Sequence, residues 1–425
     1  MMPESSSLEK PAAAPLSDAG KWAVLWAAFL GWMFDGLEMG LFPLAGGAAL
    51  KSLLGPDADI KGWFGTINAL FLVGAAFGGL AFGWLGDRIG RVRAMSASIL
   101  VYAIFTGLGY FVTSAWQLAA LRFVASIGMG GEWALGVALV MEAWPSNMRP
   151  LLAGFIGAAS NVGFLVIAVI GLLVGVTESQ WRWIMLAGAA PALLTFYIQS
   201  RVPESQKWKD AASVGGDDPL KEVFGPRLVK NTLIAICLGG IALLGTWGSV
   251  QWIPTWVREE LLKDATPAEK SNAASWLQIA SAIGAILGCF AGSLLGGRLG
   301  RRPVYFALCL LSLGLCQFLF RTYTAYSLEM LFLVGLIGFT TAAFYGWLPL
   351  YLPELFPTRV RATGQGIAFN MGRLLAAGGV LSAGWLVNAS SGSWAAAGSI
   401  VSMVYALGLV VIWFAPETRG KPLPE

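Results

Sequence analysis

The chain contains no histidine and only four cysteines in 425 residues. Histidine is the commonest metal ligand and the usual proton carrier near neutral pH, so its absence removes both devices. Cys237, Cys289, Cys309 and Cys316 all lie inside apolar runs, where free cysteine ordinarily packs as a small hydrophobe. No nucleotide-binding signature of the form G-x-x-x-x-G-K-[ST] occurs. We therefore predict no metal, no cofactor and no use of ATP.

Charge is scarce as well. Only 12% of the residues are charged, 56% are hydrophobic and the mean hydropathy is +0.68. A soluble domain has about 25% charged residues, so most of this surface is expected to face lipid. Residues 1–20 lack a basic segment leading into a short apolar core, which predicts a polar cytoplasmic tail and no secretory signal. The net charge of +4 is spread over short loops, so no nucleic-acid partner is expected.

Twelve apolar runs are long enough to span a bilayer, which takes about 20 residues. They are 22–50, 62–86, 93–113, 116–141, 150–176, 181–200, 230–257, 272–297, 303–321, 326–352, 361–388 and 392–415. The predicted fold is an all-α integral membrane protein with twelve transmembrane helices in two six-helix halves. The predicted divisions are an N-terminal tail (1–21), a first half (22–200), a linker (201–229), a second half (230–415) and a C-terminal tail (416–425).

Basic residues indicate the orientation, because they accumulate on the cytoplasmic side. With the N-terminus placed inside, 19 of the 28 lysines and arginines fall in cytoplasmic segments and 7 in outer segments. The remaining two, Arg122 and Arg373, lie within predicted helices. We therefore predict a multi-pass protein of the cell (inner or plasma) membrane with both termini in the cytoplasm.

Three charged motifs occur twice at nearly one offset. Gly83 to Arg91 (G-W-L-G-D-R-I-G-R) returns as Ser293 to Arg301 (S-L-L-G-G-R-L-G-R), displaced by 210 residues. Glu142-x-x-Pro145-x-x-x-Arg149 returns at Glu354, Pro357 and Arg361, and Pro203-Glu204-Ser205 returns as Pro416-Glu417-Thr418. The common offset indicates a duplicated half. Two related halves in a membrane predict alternating access around a site near the midplane.

The repeated charges are predicted to form ion pairs that close the cytoplasmic side. In the second half, Arg298 and Arg301 are expected to meet Glu354 and Glu417. The alternative is that the charges only anchor the topology, but a topology signal needs basic residues and no matched acids. The predicted gating residues are Asp87, Arg88, Arg91, Glu142, Arg149, Glu204, Arg298, Arg301, Glu354, Arg361 and Glu417.

These motifs resemble the major facilitator superfamily, whose signature loop is similar to the pattern G-x-x-x-D-R-x-G-R found here at 83–91. A further set resembles its sugar-porter branch and the organic-acid relatives: Arg122 with Gly128, Gly130 and Glu132, the two Glu-x-x-Pro-x-x-x-Arg motifs, and Pro353 to Thr358. Asp35-Gly36-Leu37-Glu38 and Gly130-Gly131-Glu132-Trp133 are most similar to sialate- and aromatic-acid-type proton symporters. The resemblance covers about residues 22–420 and implies that helices 1 and 4 line a central cavity. One departure is Gly297, which stands where the first-half loop has Asp87 and predicts a weaker second-half gate.

Few charges lie inside the predicted helices, and a charge at that depth ordinarily has a partner and a function. At 1.5 Å per residue, Asp35 and Arg122 fall at one level, so they are the first predicted pair, with Asp35 as the proton-coupling group. Glu132 lies on the same half of its helix as Arg122 and is the alternative proton site. Glu38, one turn outward from Asp35, is either a substrate contact or a residue of the outer mouth.

Arg373 carries the prediction of a substrate site. It lies about 18 Å from the cytoplasmic surface by helical rise, with no acid on its own helix, so a bound carboxylate or an acid from another helix is its expected partner. Asn161 is its repeat mate and Asn370 lies one turn away. Gln251 precedes Pro254, which predicts a break in the seventh helix. With Arg122 and Glu38, these residues complete the predicted substrate set.

We therefore predict a proton-coupled symporter of a small organic acid, such as a monocarboxylate, a sialate or an aromatic acid. Its partners are the substrate, protons and the lipid bilayer, and a monomer is expected. A sugar or polyol carrier of the same fold and an efflux carrier remain alternatives. A membrane enzyme would need a nucleophile–base pair or a metal cluster, and a sensor would need an output domain; the sequence offers neither.

Overall fold

The structure, a computed structural model, describes residues 16–55, 58–173, 177–214, 218–390 and 392–425. Its described part is a bundle of twelve long helices with two short helices in the linker. The first six are α1 (Asp18–Leu54), α2 (Ile60–Ile89), α3 (Arg91–Leu108), α4 (Ala115–Ala143), α5 (Arg149–Leu173) and α6 (Trp181–Arg201). The second six are α7 (Val229–Leu261), α8 (Pro267–Leu299), α9 (Arg301–Thr322), α10 (Leu328–Tyr351), α11 (Arg361–Ala389) and α12 (Trp394–Phe414).

The twelve predicted spans are confirmed as helices. Eleven of the described helices are long and apolar enough to cross a membrane, and α11 occupies the predicted span 361–388. The largest difference is α1, which begins at Asp18 and ends at Leu54 rather than running from 22 to 50. Ser17 explains the early start, because its side chain accepts a hydrogen bond from the Gly20 amide as an N-cap. Most of the predicted tail, residues 1–15, and Gly215 to Asp217 of the linker lie outside the described residues.

The repeated loops have one backbone conformation in both halves. Gly90 separates α2 from α3 with φ +107°, and Gly300 separates α8 from α9 with φ +109°. Glycine populates this left-handed region without a steric penalty, so each pair of helices is joined by a single residue. The linker helices Gln206–Val214 and Pro219–Val223 lie at the same end of the bundle, which we call the linker face.

The predicted break in the seventh helix is confirmed. Regular α-helix ends at Gly248, a 3₁₀ turn covers Val250–Trp252, and a π turn follows at Val257–Leu261. Pro254 has no amide hydrogen to donate to the preceding turn, which accounts for the irregularity. Gln251 is exposed in the 3₁₀ turn.

Glycine brings helices into backbone contact within each half. A Cβ at Gly78 of α2 would overlap the Ile127 carbonyl of α4, and one at Gly288 of α8 would overlap the Phe339 carbonyl of α10. Small residues permit this approach, which replaces the hydrophobic driving force that lipid does not supply. The glycines of α2 and α8 are therefore used for helix packing.

The halves meet along two related seams. In one, Gly83 of α2 faces the Ala362 carbonyl of α11; in the other, Gly154 of α5 faces Ser293 and Phe290 of α8. The repeat relates α2 to α8 and α5 to α11, so the two seams are equivalent positions of the duplicated chain. The residue limits predicted for the two halves and the linker stay a prediction.

Candidate functional site

Among the described residues, five charged side chains lie inside the bundle away from the linker face, and none is more than 3% exposed. They are Asp35, Glu38, Arg122, Glu132 and Arg373. A buried charge without a partner is costly, so the partner of each one indicates its function.

Arg122 pairs with Glu38. Arg122 Nη1 donates to Glu38 Oε1, Thr106 Oγ1 donates to the same oxygen at 2.7 Å, and the guanidinium lies 4.5 Å from the Phe71 ring centre. The predicted pairing of Arg122 with Asp35 is wrong. Helical rise located Arg122 only to within about one turn, which is the spacing between Asp35 and Glu38, so depth alone did not distinguish them.

Asp35 instead lies beside Glu132. The Glu132 carboxyl group packs against Gly31, one turn before Asp35, where a Cβ would overlap its Oε1. The two carboxyl groups lie close enough to act on each other, and Tyr102 of α3 lies within reach of Glu132. None of these three side chains completes a hydrogen bond with a described residue. Two carboxylates cannot bond to each other unless one of them is protonated. The pair can therefore hold a proton deep in the bundle without histidine.

Arg373 is held by Asn370 and lacks a carboxylate partner. Its Nη1 donates to Asn370 Oδ1 at 2.8 Å, and its guanidinium lies 5.3 Å from the Phe369 ring centre. Asn370 Nδ2 in turn donates to the Gly130 carbonyl of α4 at 3.0 Å. Among the described residues no carboxylate oxygen lies within 4.0 Å of Arg373, and Asp35 is the acid that acts on it electrostatically. The guanidinium is positioned and remains available to an anion.

Aromatic rings pack beside these charges. Trp133 of α4 stacks on Phe369 of α11 with centroids 4.1 Å apart, and Trp32 of α1 lies 5.9 Å from the same ring. Tyr345 of α10 approaches Phe369 edge-on at 6.3 Å. Trp133 and Phe369 were not predicted as site residues. Their positions in the sequence could have identified them, because Trp133 follows Glu132, and Phe369 precedes Asn370 and lies one turn before Arg373.

Two predicted substrate residues show no contact with Arg373. Asn161 Nδ2 donates to the Cys289 sulfur of α8 at 3.8 Å, and Gln251 is exposed on the broken α7 with no hydrogen bond to a described residue. Of the predicted substrate residues, Asn370 and Arg373 are therefore hydrogen-bonded to each other, and Glu38 and Arg122 form an ion pair.

At the linker face, Asp87 connects the two halves. It forms an ion pair with Arg91 at 2.7 Å and accepts hydrogen bonds from Thr363 N at 2.8 Å, Thr363 Oγ1 at 2.5 Å and Ala362 N at 3.3 Å. These donors belong to the first turn of α11, where amides lack partners within the helix. Asp87 therefore acts as an N-terminal cap supplied by the other half.

Glu142 and Arg361 make a second connection between the halves. Arg361 Nη1 lies 2.8 Å from Glu142 Oε1, with Arg91 Nη2 at 3.6 Å, and the Ser205 hydroxyl donates to the other carboxylate oxygen. Arg91 Nη2 also donates to the Thr358 carbonyl at 2.7 Å. The side chains of Glu142, Arg361, Arg91 and Ser205 are all buried, so the linker face is closed at these contacts.

The second half repeats part of this network. Arg301 forms a two-pronged contact with Glu354 at 3.0 and 2.5 Å, as predicted, and Thr418 Oγ1 also donates to Glu354 at 2.5 Å. Glu417 does not pair with an arginine side chain; it accepts from the amides of Arg301 and Arg302 at 3.0 and 3.1 Å.

Glu204, the mate of Glu417, accepts from the amides of Arg91 and Val92 at 3.1 Å each. Both glutamates cap the helix after a repeated loop, an anion at a positive helix end. Arg298 is exposed and makes no ion pair within the described part of the chain. The predicted meeting of Arg298 with Glu354 or Glu417 is therefore wrong, and the cause is that both acids already have nearer donors.

The linker reaches back onto both halves. Asp218 accepts from Trp84 Nε1 at 3.2 Å and from Arg88 Nη2 at 2.6 Å. The Trp84 hydrogen bond first, then the Leu220 amide and Arg88, hold the pKa of Asp218 below its ordinary value. Glu222 pairs with Arg359 just before α11. Arg88 thus pairs with the linker rather than with the predicted gate acids.

Comparison with known proteins agrees with this architecture. The profile described as "Major Facilitator Superfamily" matches residues 24–265, and that described as "Sugar (and other) transporter" matches residues 304–425. The first match covers more than half of the chain. The chain belongs to the major facilitator superfamily.

Relatives of this facilitator match almost throughout. A probable 4-methylmuconolactone transporter of Cupriavidus pinatubonensis is 29% identical over 93% of this chain and 90% of its own. The sialic acid transporter NanX of Escherichia coli is 27% identical over 82% of this chain and 83% of its own. The proton:xylose symporter XylE shares the fold, with a TM-score of 0.77 and 17% identity over 96% of this chain and 98% of XylE. The facilitator is a multi-pass membrane transporter of small molecules and not an enzyme.

Proposed function

We propose that this facilitator is a proton-coupled symporter of a small organic acid. Arg373 binds the substrate carboxylate, and the Asp35–Glu132 pair carries the proton. The observation that carries the proposal is the juxtaposition of a positioned, buried arginine that lacks a carboxylate partner with two adjacent buried carboxyl groups that lack donors. The acid named for one relative, sialic acid, supports a carboxylate ligand.

The chemistry of the site favours a flat acid. A guanidinium binds a carboxylate through two parallel hydrogen bonds, which fixes the plane of the bound group. Phe369 lies beside Arg373, and Trp133 stacks on Phe369. A conjugated or ring-containing acid would place its carboxylate on Arg373 and its apolar part against these aromatic faces.

Coupling follows from the charges. Arg373 favours the ionised form of Asp35, and a bound substrate carboxylate cancels that influence, so substrate binding promotes proton binding at the pair. By linkage, proton binding then strengthens substrate binding by the same factor. Coupling free energies between two binding sites are typically about 1–3 kcal/mol, or roughly 5- to 150-fold in affinity. The other ionisable groups facing the pair are Glu38 and Tyr102 of α3.

The closed linker face fits an alternating-access cycle, and we propose that this face is cytoplasmic. Basic residues concentrate on it, as the positive-inside rule requires. In this arrangement the outer side receives substrate and proton together. Both are released after the contacts of Asp87 and Glu142 across the halves have separated.

Uptake into proteoliposomes tests the proposal. Purified protein would be reconstituted, an inward proton gradient imposed or omitted, and the accumulation of labelled sialate, lactate, an aromatic acid and glucose followed. We expect one acid to accumulate with the gradient and to equilibrate without it. Gradient-independent exchange of glucose alone would contradict the proposal and favour a sugar facilitator.

Four substitutions separate the two roles. Asp35→Asn should abolish gradient-driven accumulation and retain substrate counterflow, because exchange needs no net proton movement. Arg373→Gln should lose both activities, whereas Arg93→Gln, which removes an exposed arginine at the start of α3, should lose neither. Unchanged accumulation in Asp35→Asn together with Glu132→Gln would refute the proton site, and unchanged counterflow affinity in Arg373→Gln would refute the carboxylate site.

A further inference from the structure

A cavity of about 750 Å³ opens at the linker face between the start of α5 and the α8–α9 loop. Five basic residues line it: Arg149, Lys207, Arg298, Arg301 and Lys421. The acids in its wall are Glu354, which is already bonded to Arg301, and Glu425. Within the described part of the chain, the other four cations make no ion pair. The cavity therefore has a marked excess of positive charge.

The repeat shows what occupies the related position in the first half. There, the carboxylate of Asp87 lies against the first turn of α11 and accepts from Ala362 and Thr363. At the related position of the second seam, Gly297 of α8 stands in place of Asp87, so the carboxylate is missing. Pro150 of α5 stands in place of Ala362, so one amide donor is missing as well. Pro150 lies so close that a Cβ at Gly297 would be 2.6 Å from its ring. The second seam thus lacks the anion that closes the first.

Arg149 lacks the carboxylate contact that its repeat mate makes. Its repeat mate Arg361 donates to a backbone carbonyl through Nε and to Glu142 through Nη1 at 2.8 Å. Arg149 makes only the first contact, from Nε to the Met141 carbonyl at 3.2 Å, and no described carboxylate lies within 4.0 Å of it. It is only 8% exposed and lines the cavity. Its Nη groups make no hydrogen bond with a described residue, so this guanidinium can bind an anion in the cavity.

We propose that this cavity binds a phosphate group, taken either from free phosphate or from the headgroup of an anionic phospholipid. Phosphate offers several acceptor oxygens to converging guanidinium and ammonium groups, and arginine binds it in a two-pronged manner. Arg149 and Arg298 would bind the oxygens, and Lys207 of the linker would add a third cation. The bound group would replace, on the second seam, the carboxylate that Asp87 supplies on the first. This inference is independent of the substrate and of proton coupling.

Thermal melting of the full-length protein in detergent tests the binding of inorganic phosphate. Phosphate is titrated against potassium chloride at matched ionic strength. We expect saturable stabilisation by phosphate and none by chloride. The Arg298→Gln and Lys207→Gln substitutions remove partly or fully exposed charges and should each weaken the apparent affinity about tenfold. Arg93→Gln, on the same face and outside the cavity, is the matched control and should leave the titration unchanged.

Nanodiscs distinguish the two sources. Melting would be compared in phosphatidylcholine alone and in phosphatidylcholine mixed with phosphatidylglycerol, with and without added phosphate. Stabilisation by phosphatidylglycerol that removes the response to free phosphate assigns the site to a lipid headgroup. Stabilisation by free phosphate in both membranes assigns it to the soluble ion. No response to either, or a full response in the Arg298→Gln/Lys207→Gln variant, would overturn the proposal.

Discussion

Replacing Asp87 with asparagine should open the linker face. Asp87 accepts three hydrogen bonds from the opposite half, from Ala362 N, Thr363 N and Thr363 Oγ1, while also pairing with Arg91. No other carboxylate in the described part of the chain does so. Asparagine keeps the shape of the side chain and one carbonyl oxygen. It loses the charge, and its amide group turns donors toward the donors of α11.

The size of the effect can be estimated from these contacts. A hydrogen bond to a charged group contributes about 1.5–3 kcal/mol and a neutral one about 0.5–1.5 kcal/mol, so three bonds lose about 1 kcal/mol each. The closed state therefore loses about 3 kcal/mol relative to a state in which the seam is already separated. That difference corresponds to a shift of about a hundredfold in the equilibrium between closed and open linker faces.

Distance measurement by electron–electron double resonance detects this shift. Spin labels would be attached at Arg93→Cys and Leu299→Cys, two exposed positions on opposite halves at this face, after replacement of the four native cysteines by serine. The labelled protein with Asp87 intact should give one short distance between the two labels, and the Asp87→Asn variant should show an additional, longer distance. Asp59→Asn is the matched control: it lies on the same helix at the opposite face and caps Gly62 N, which asparagine does equally well. A single short distance in Asp87→Asn would refute the assignment of Asp87 as the main tie between the halves.

Three further predictions concern stability and the substrate site. Glu38→Gln should lower the melting temperature, because removing one partner of a buried ion pair costs about 3–5 kcal/mol, and the Glu38→Gln/Arg122→Met double variant should recover part of the loss. Gly79→Ala should raise the KM for counterflow severalfold, since a Cβ there would overlap Asn370 Nδ2 and displace the amide that holds the substrate arginine. Burial opposes ionisation of Glu417, but the amides at the start of α9 outweigh it and lower its pKa. Its stabilising effect is therefore complete above the ordinary value of about 4.3 and is lost as the pH falls through the lowered pKa. The melting temperature should accordingly fall less in Glu417→Gln than in the unmodified protein between about pH 5 and pH 3.

Sequence was sufficient for the helices and for the identity of the buried charges. Long apolar runs in a chain with only 12% charged residues can form membrane-spanning helices and little else. Gly90 and Gly300 account for the tight loops between the repeated helices. The break in α7 followed from Pro254 for the same local reason. These features depend on backbone chemistry within a few residues, which is visible in the sequence.

Partner choice was not predictable in the same way. Arg122 was predicted to pair with Asp35 and pairs with Glu38. These two acids are one helical turn apart, a distance that an estimate from the rise per residue does not resolve. Likewise, Arg88 pairs with Asp218 of the linker, whose path over the linker face is a tertiary result. Thr363 is uncharged and was not predicted as a gating residue, yet it donates two hydrogen bonds to Asp87. Such pairings depend on how helices from different parts of the chain approach each other.

The charged groups of the proposed site are divided between the two halves, so the proposed coupling depends on how the halves are arranged. Asp35 and Glu132 belong to the first half and Arg373 to the second, so the pair and the arginine influence each other only while α1, α4 and α11 remain together. With one shared proton the three groups are neutral in total. A substrate carboxylate makes the cluster negative, and one more proton restores neutrality, so one proton for each carboxylate keeps the buried site uncharged. An uncharged cluster is the form that can cross between open and closed arrangements at least cost, and it is reached only when both substrate and proton are bound or both are absent.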